Sequence, residues 1–146
     1  MFCRGTVRVN LIELLPRFRR RRNGWDRRIW TELLFDSFST RSFGMRSDAY
    51  PHRQFLYRAG PYQIDVLIEF AQRNRLLITG QLLDVRQPEN LRRVRVSIWN
   101  RRKSFVTVRT NDWGEFLGEI EDSGELIVSL KVQMREIAIS IRDVHP

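Results

Sequence analysis

The 146-residue chain has very little cysteine and very little histidine. The single cysteine, Cys3, excludes an internal disulfide and any cysteine-built metal cluster. Such usage fits a reducing compartment. The two histidines are His52, beside Pro51, and His145, near the end. No serine sits in a Gly-x-Ser-x-Gly elbow. His52 is therefore expected to be a loop residue rather than a base, and no catalytic residue is assigned. Glycine is also scarce, at eight residues, and no two have phosphate-loop spacing, so no nucleotide cofactor is expected.

No apolar run approaches the roughly 18 residues that span a membrane. The short patch Leu11–Leu15 contains Glu13, and its basic run follows it, the reverse of a secretory signal. A cytoplasmic protein with no membrane span is expected. Lysine is nearly missing too: of 26 basic residues only Lys103 and Lys131 are lysine. That skew fits a GC-rich genome as well as it fits a partner.

The formal charge of +9 is unevenly spread. Residues 1–28 hold nine arginines against two acids, a net of +7. The rest holds seventeen bases against fifteen acids, a net of +2. Arg17, Arg19, Arg20, Arg21 and Arg22 form a self-repelling run between the helix breakers Pro16 and Gly24. Residues 1–28 are expected to be a solvated basic tail. A nucleic-acid or acidic-lipid contact, and an over-called start codon, stay open beside that.

Residues 29–61 are expected to be a flanking segment packed on the domain that follows. Trp30, Leu33, Leu34 and Phe38 fit a helical stripe, while Leu33-Leu34-Phe35 fits a short strand. Gln54–Tyr57 is one more strand candidate, closed by Gly60-Pro61.

From Tyr62 the period becomes two. Tyr62, Ile64, Val66, Ile68 and Phe70 share one face, and Gln63, Asp65, Leu67 and Glu69 the other. Leu76, Ile78 and Leu82 follow, with Gly80 marking a bulge or a close backbone approach. Val94, Val96 and Ile98 alternate with Arg93, Arg95 and Ser97. After the basic turn Asn100–Lys103 comes the β-branched run Phe105–Arg109. The heptad from Thr110 to Phe116 is a tight turn, and Phe116, Gly118 and Ile120 continue inward. Leu126–Val132 and Ile137–Ile141 close the series. Seven such runs at 8–12-residue spacing predict an all-β, antiparallel β-sandwich of about seven strands over residues 62–146.

The order Thr79–Asp84, Val94–Ile98, Thr107–Phe116 and Gly124–Val128 resembles the carboxypeptidase regulatory-like domain, over about residues 75–142. That family is a prealbumin-like (transthyretin-like) β-sandwich. It shows a strand with a central Gly and a trailing Asp, then a Thr-Asp-x-x-Gly-x-Phe hairpin. Here Asn111 stands where the family often has Asp, and Asp112 follows one place later. The front segment, with Arg46-Ser47, Arg53–Tyr57 and Ala59-Gly60, is similar to small soil-bacterial proteins carrying this sandwich. The resemblance implies an accessory module that scaffolds, binds or transports, and is not itself a peptidase.

Acids group at Asp112, Glu115, Glu119, Glu121 and Asp122 without EF-hand spacing, so no metal is assigned and a solvated strand edge is expected. Arg93, Arg95, Arg101, Arg102 and Lys103 flank Trp99, a combination that can stack on bases or track phosphates. Exposed aromatics beside arginine are also the composition of a protein interface. The leading expectation is a non-catalytic module for protein binding or assembly, including self-association. Trp99, Arg101, Arg102, Lys103 and Trp113 are its candidate contact residues. The alternative is nucleic-acid or regulatory binding through the Arg17–Arg22 arm.

Overall fold

The computed structural model describes residues 28–39, 52–87 and 91–145. The Arg17–Arg22 arm and most of the basic tail lie outside them. The described residues form ten strands and no helix. They are β1 (Arg28–Ile29), β2 (Glu32–Asp36), β3 (His52–Ala59), β4 (Tyr62–Ala71) and β5 (Arg75–Asp84). Then come β6 (Arg95–Asn100), β7 (Phe105–Arg109), β8 (Glu115–Glu121), β9 (Leu126–Val132) and β10 (Arg135–Ile141).

Two five-stranded sheets result. Sheet I has the order β1-β10-β9-β6-β7, and sheet II the order β2-β3-β4-β5-β8. All neighbours are antiparallel except β1 and β10.

The expectation of about seven strands falls short by three. The seven period-two runs are β4 to β10, and the extra three come from residues 28–59. The chain crosses from sheet I to sheet II at Trp30-Thr31, where the Thr31 hydroxyl donates to the Ala138 carbonyl at 3.3 Å. The register of β2 on β3 shifts between Leu33 and Phe35. Such a bulge breaks the alternation that would have identified β2 as a strand. The described part of this segment lengthens both sheets.

Alternation places one row of side chains per strand in a common core. Ile64, Val66 and Ile68 of sheet II meet Val96, Ile98, Val128, Leu130 and Ile139 of sheet I there, all fully buried. Burying each such side chain contributes roughly 1.5–3 kcal/mol, so the inward faces hold the two layers together.

Gly80 sits opposite both Val66 and Phe116 in unbroken register. Of the two readings its position allowed, close approach is the one found. A Cβ there would fall 2.1 Å from Phe116 Cζ, because the buried ring lies over the glycine.

Hairpin turns alternate between the two ends of the molecule. One end carries the β4–β5, β6–β7 and β8–β9 turns and residues 142–145. The other carries the β3–β4, β5–β6, β7–β8 and β9–β10 connections.

Candidate binding faces

The outer face of sheet I is laid out in three cross-strand rows. The first is Arg28, Glu136, Lys131, Arg95 and Arg109. The second, Ala138, Ser129, Ser97 and Thr107, is small and mostly hydroxylic. The third is Ser140, Ile127, Trp99 and Phe105. Two residues along a strand span roughly 6.6 Å, so the basic and aromatic rows stand about 13 Å apart. Trp99 and Phe105 stack with ring centroids 4.6 Å apart, and Phe105 is 60% exposed. Such a pair is worth about 0.5–1.5 kcal/mol beyond its buried area, which holds the rings as one platform.

The turn beside this platform is built by Asn100, which is buried. Its backbone N–H donates to the Ser104 carbonyl at 3.0 Å, and its Oδ1 accepts from the Ser104 N–H at 3.0 Å. Its Nδ2 donates to the Glu121 carbonyl at 3.2 Å. Lys103 donates its N–H back to Asn100 O at 3.1 Å and takes φ +65°. A β-turn followed by a left-handed residue is a common hairpin closure. It holds Arg101, Arg102 and Lys103 exposed beside Trp99. The Arg102 guanidinium is paired with Glu121, while the Arg101 N–H is held by Ser123 Oγ at 2.8 Å.

The fifth sequence candidate, Trp113, is not part of this group. It projects from the β7–β8 turn at the opposite end and is 74% exposed. That turn is organised by Asn111, whose Oδ1 accepts from the N–H groups of Trp113 and Glu115, both at 2.9 Å. The cap is therefore Asn111; Asp112 faces outward toward Arg92 at 3.8 Å. Gly114 takes φ +76°, and a Cβ on it would fall 2.2 Å from the Leu82 carbonyl oxygen. Both facts require glycine there.

The outer face of sheet II has the opposite sign. Glu32, Asp65, Glu69, Glu115, Glu119 and Glu121 face outward against two bases, Arg58 and Arg75. Sheet I shows four bases in one row against Glu136. The near-neutral domain is thus split into a basic face and an acidic face. The acidic face is dished: an open depression of about 690 Å³ is lined by Gln54, Asp65, Leu67, Thr79, Gln81 and Leu117. Arg109, on the edge strand of sheet I, reaches the rim of this depression. The acids read as a strand edge, Glu115, Glu119 and Glu121, do lie on edge strand β8.

Sequence reasoning missed Phe105, Lys131 and the acidic face. Their signal existed in the alternation, but assigning each run to a sheet requires the pairing order.

A second polar cluster fastens the molecule's edge. Arg53 forms a two-pronged pair with Asp36, Nε to Oδ1 at 2.9 Å and Nη2 to Oδ2 at 2.6 Å. Its guanidinium lies 4.5 Å from the Phe38 ring centroid and 4.6 Å from that of Phe55. Arg53 Nη1 also donates to the Asp143 carbonyl, and the Val144 N–H donates to Gly124 O at 3.1 Å. Burial pushes the Asp36 carboxyl up, but hydrogen bonds from Arg53 and the Phe38 N–H outweigh it, so its pKa lies below the usual carboxylate value. Burial, with Asp36 nearby, raises the Tyr57 hydroxyl, and Arg53 offsets part of this.

His145 stacks on Phe70 at 4.9 Å, with Nε2 2.5 Å from Asp122 Oδ2. His52 lies on β3 opposite Glu69, not in a loop. Among the described residues no three His, Cys, Asp or Glu side chains converge as a metal site. No helix among them is long and apolar enough to cross a membrane. Compared with protein-family models, curated proteins and solved structures, the chain matches none.

Proposed function

We propose that this chain is a non-catalytic β-sandwich module for protein binding or assembly, and that the outer face of sheet I around Trp99 and Phe105 is its contact surface. The observation that carries this reading is the outward-facing, stacked Trp99–Phe105 pair beside Arg101 and Lys103. Aromatics and arginine are enriched where proteins meet, and such anchors dominate binding energy. The prealbumin-like, carboxypeptidase regulatory-like assignment and a cytoplasmic location belong to the same proposal. The first is supported by the motif order over residues 75–142, the second by the single cysteine.

The test is crosslinking capture with the wild-type chain and with Trp99→Ala/Phe105→Ser. A partner held by the first and lost by the second is expected. Equal capture by both would remove sheet I from the interaction.

A second reading, binding of single-stranded nucleic acid, is favoured by the basic row about 13 Å from a stacking platform. Fluorescence anisotropy with labelled DNA and RNA at low salt decides it, because phosphate contacts are strongest there. Tight binding that falls steeply with salt would replace the protein reading.

A further inference from the structure

We propose that the partner of the sheet I face is the sheet II face of a second copy, so that chains associate head to tail. This rests on the reading of sheet I as the contact surface. Three observations support it. The charges are complementary: Arg28, Arg95 and Lys131 on one face oppose Asp65, Glu69 and Glu115 on the other, beside Glu32, Glu119 and Glu121, which are paired with Arg58, Arg75 and Arg102. The relief is complementary: the Phe105 ring, stacked on Trp99, is 60% exposed on one face, and an open depression of about 690 Å³ dishes the other. The apolar content is complementary as well, since Leu67 and the 57%-exposed Leu117 line that depression.

The contact joins two different surfaces, so it does not close on itself after two copies. Its strength is limited by area. Five strands at roughly 4.8 Å and about six residues at roughly 3.3 Å make a face of about 24 by 20 Å in projection. That is about 480 Å², short of the roughly 800 Å² per partner of a standard interface. Association is therefore weak, concentration-dependent and salt-sensitive, since rim charges are screened within about 10 Å at 0.1 M salt.

The experiment is sedimentation equilibrium on the full chain at low salt. The wild-type mass should rise above the 17.5 kDa of one chain with concentration and return to it at high salt. Arg95→Glu/Lys131→Glu spoils the basic face, and Glu69→Lys/Glu119→Lys the acidic one. Each alone should stay at one-chain mass, with a thermal midpoint near wild type. Mixed one to one, they should associate again, because each supplies the face the other lacks.

A mixture that stays at one-chain mass overturns head-to-tail association, as does a basic-face variant that associates like wild type. If wild type is monomeric but associates once Arg19–Arg22 are changed to serine, the acidic face belongs to the N-terminal arginines, and the proposal also fails. Monomers throughout, with capture still lost in Trp99→Ala/Phe105→Ser, would remove self-association and leave the binding reading standing.

Discussion

Replacing Gly80 by alanine should destabilise the protein, although alanine is ordinarily the better residue at this backbone. Gly80 lies mid-strand in β5 without a positive φ, so a methyl meets no backbone objection. In open space the change would stabilise by about 0.4–1 kcal/mol through the unfolded chain. Here the methyl would sit 2.1, 2.5 and 2.8 Å from Cζ, Cε1 and Cε2 of Phe116. That ring is 3% exposed, so it cannot swing into water without losing its burial. Overpacking of this kind costs about 1–3 kcal/mol. The net expectation is a loss of about 1–2 kcal/mol.

Phe116→Leu alone leaves a partial void and should cost about 1–2 kcal/mol. In the double variant the new methyl enters that void. The combined loss should then be smaller than the sum by about 1 kcal/mol. Urea unfolding followed by tryptophan fluorescence measures all three, provided the m-value is unchanged. A Gly80→Ala protein as stable as wild type would refute the overlap, and strict additivity would refute the claim that the two residues share one space.

Further predictions concern turns and titrating groups. Thr110→Val removes the hydroxyl that accepts from the Val94 N–H at 2.8 Å and donates to Leu91 O at 2.6 Å, both buried. The loss should be about 1–3 kcal/mol in thermal or urea unfolding, and a neutral result would mean that the 91–94 segment does not depend on it. Gln133 and Met134 form a two-residue hairpin with φ +44° and +67°. Replacing them by Asn-Gly, the preferred pair for that turn, should raise stability by about 1 kcal/mol, and unchanged unfolding would count against the strain. The depressed Asp36 carboxyl contributes stability above its unfolded pKa of roughly 3.9, and this is lost as pH falls through the folded value. The raised Tyr57 hydroxyl acts in the opposite sense. Its contribution is whole below its unfolded pKa of roughly 10 and is lost as pH rises beyond it. Unfolding curves of Tyr57→Phe should lack that alkaline loss.

The seven strands from Tyr62 onward were legible because each is half-buried, so period two survives in the letters. Residues 28–36 hide their strands. Trp30, Leu33, Leu34 and Phe35 follow too closely for clean alternation, Leu34 falls in a register shift, and all four are exposed. The Trp99 platform was half legible: Trp99 and the basic turn are neighbours in the chain, but Phe105 joins them only through pairing of β6 with β7. Trp113 misled for a geometric reason. One strand separates it from the basic turn, and one strand carries the chain to the other end of the molecule. The opposed charges of the two faces were invisible for a related reason: consecutive strands β5 and β6, and again β7 and β8, belong to different sheets.

The parallel pairing of β1 with β10 sets an order of events during synthesis. Thr31 waits for Ala138, 107 positions later, and Arg53 waits for Asp143, 90 positions later. A ribosome delivers those partners 107 and 90 positions after Thr31 and Arg53, so β1 leaves it without its sheet partner. Contacts this distant close slowly, which gives a nascent chain time to expose Phe55 and Tyr57, buried in the finished fold, to whatever chaperone is near.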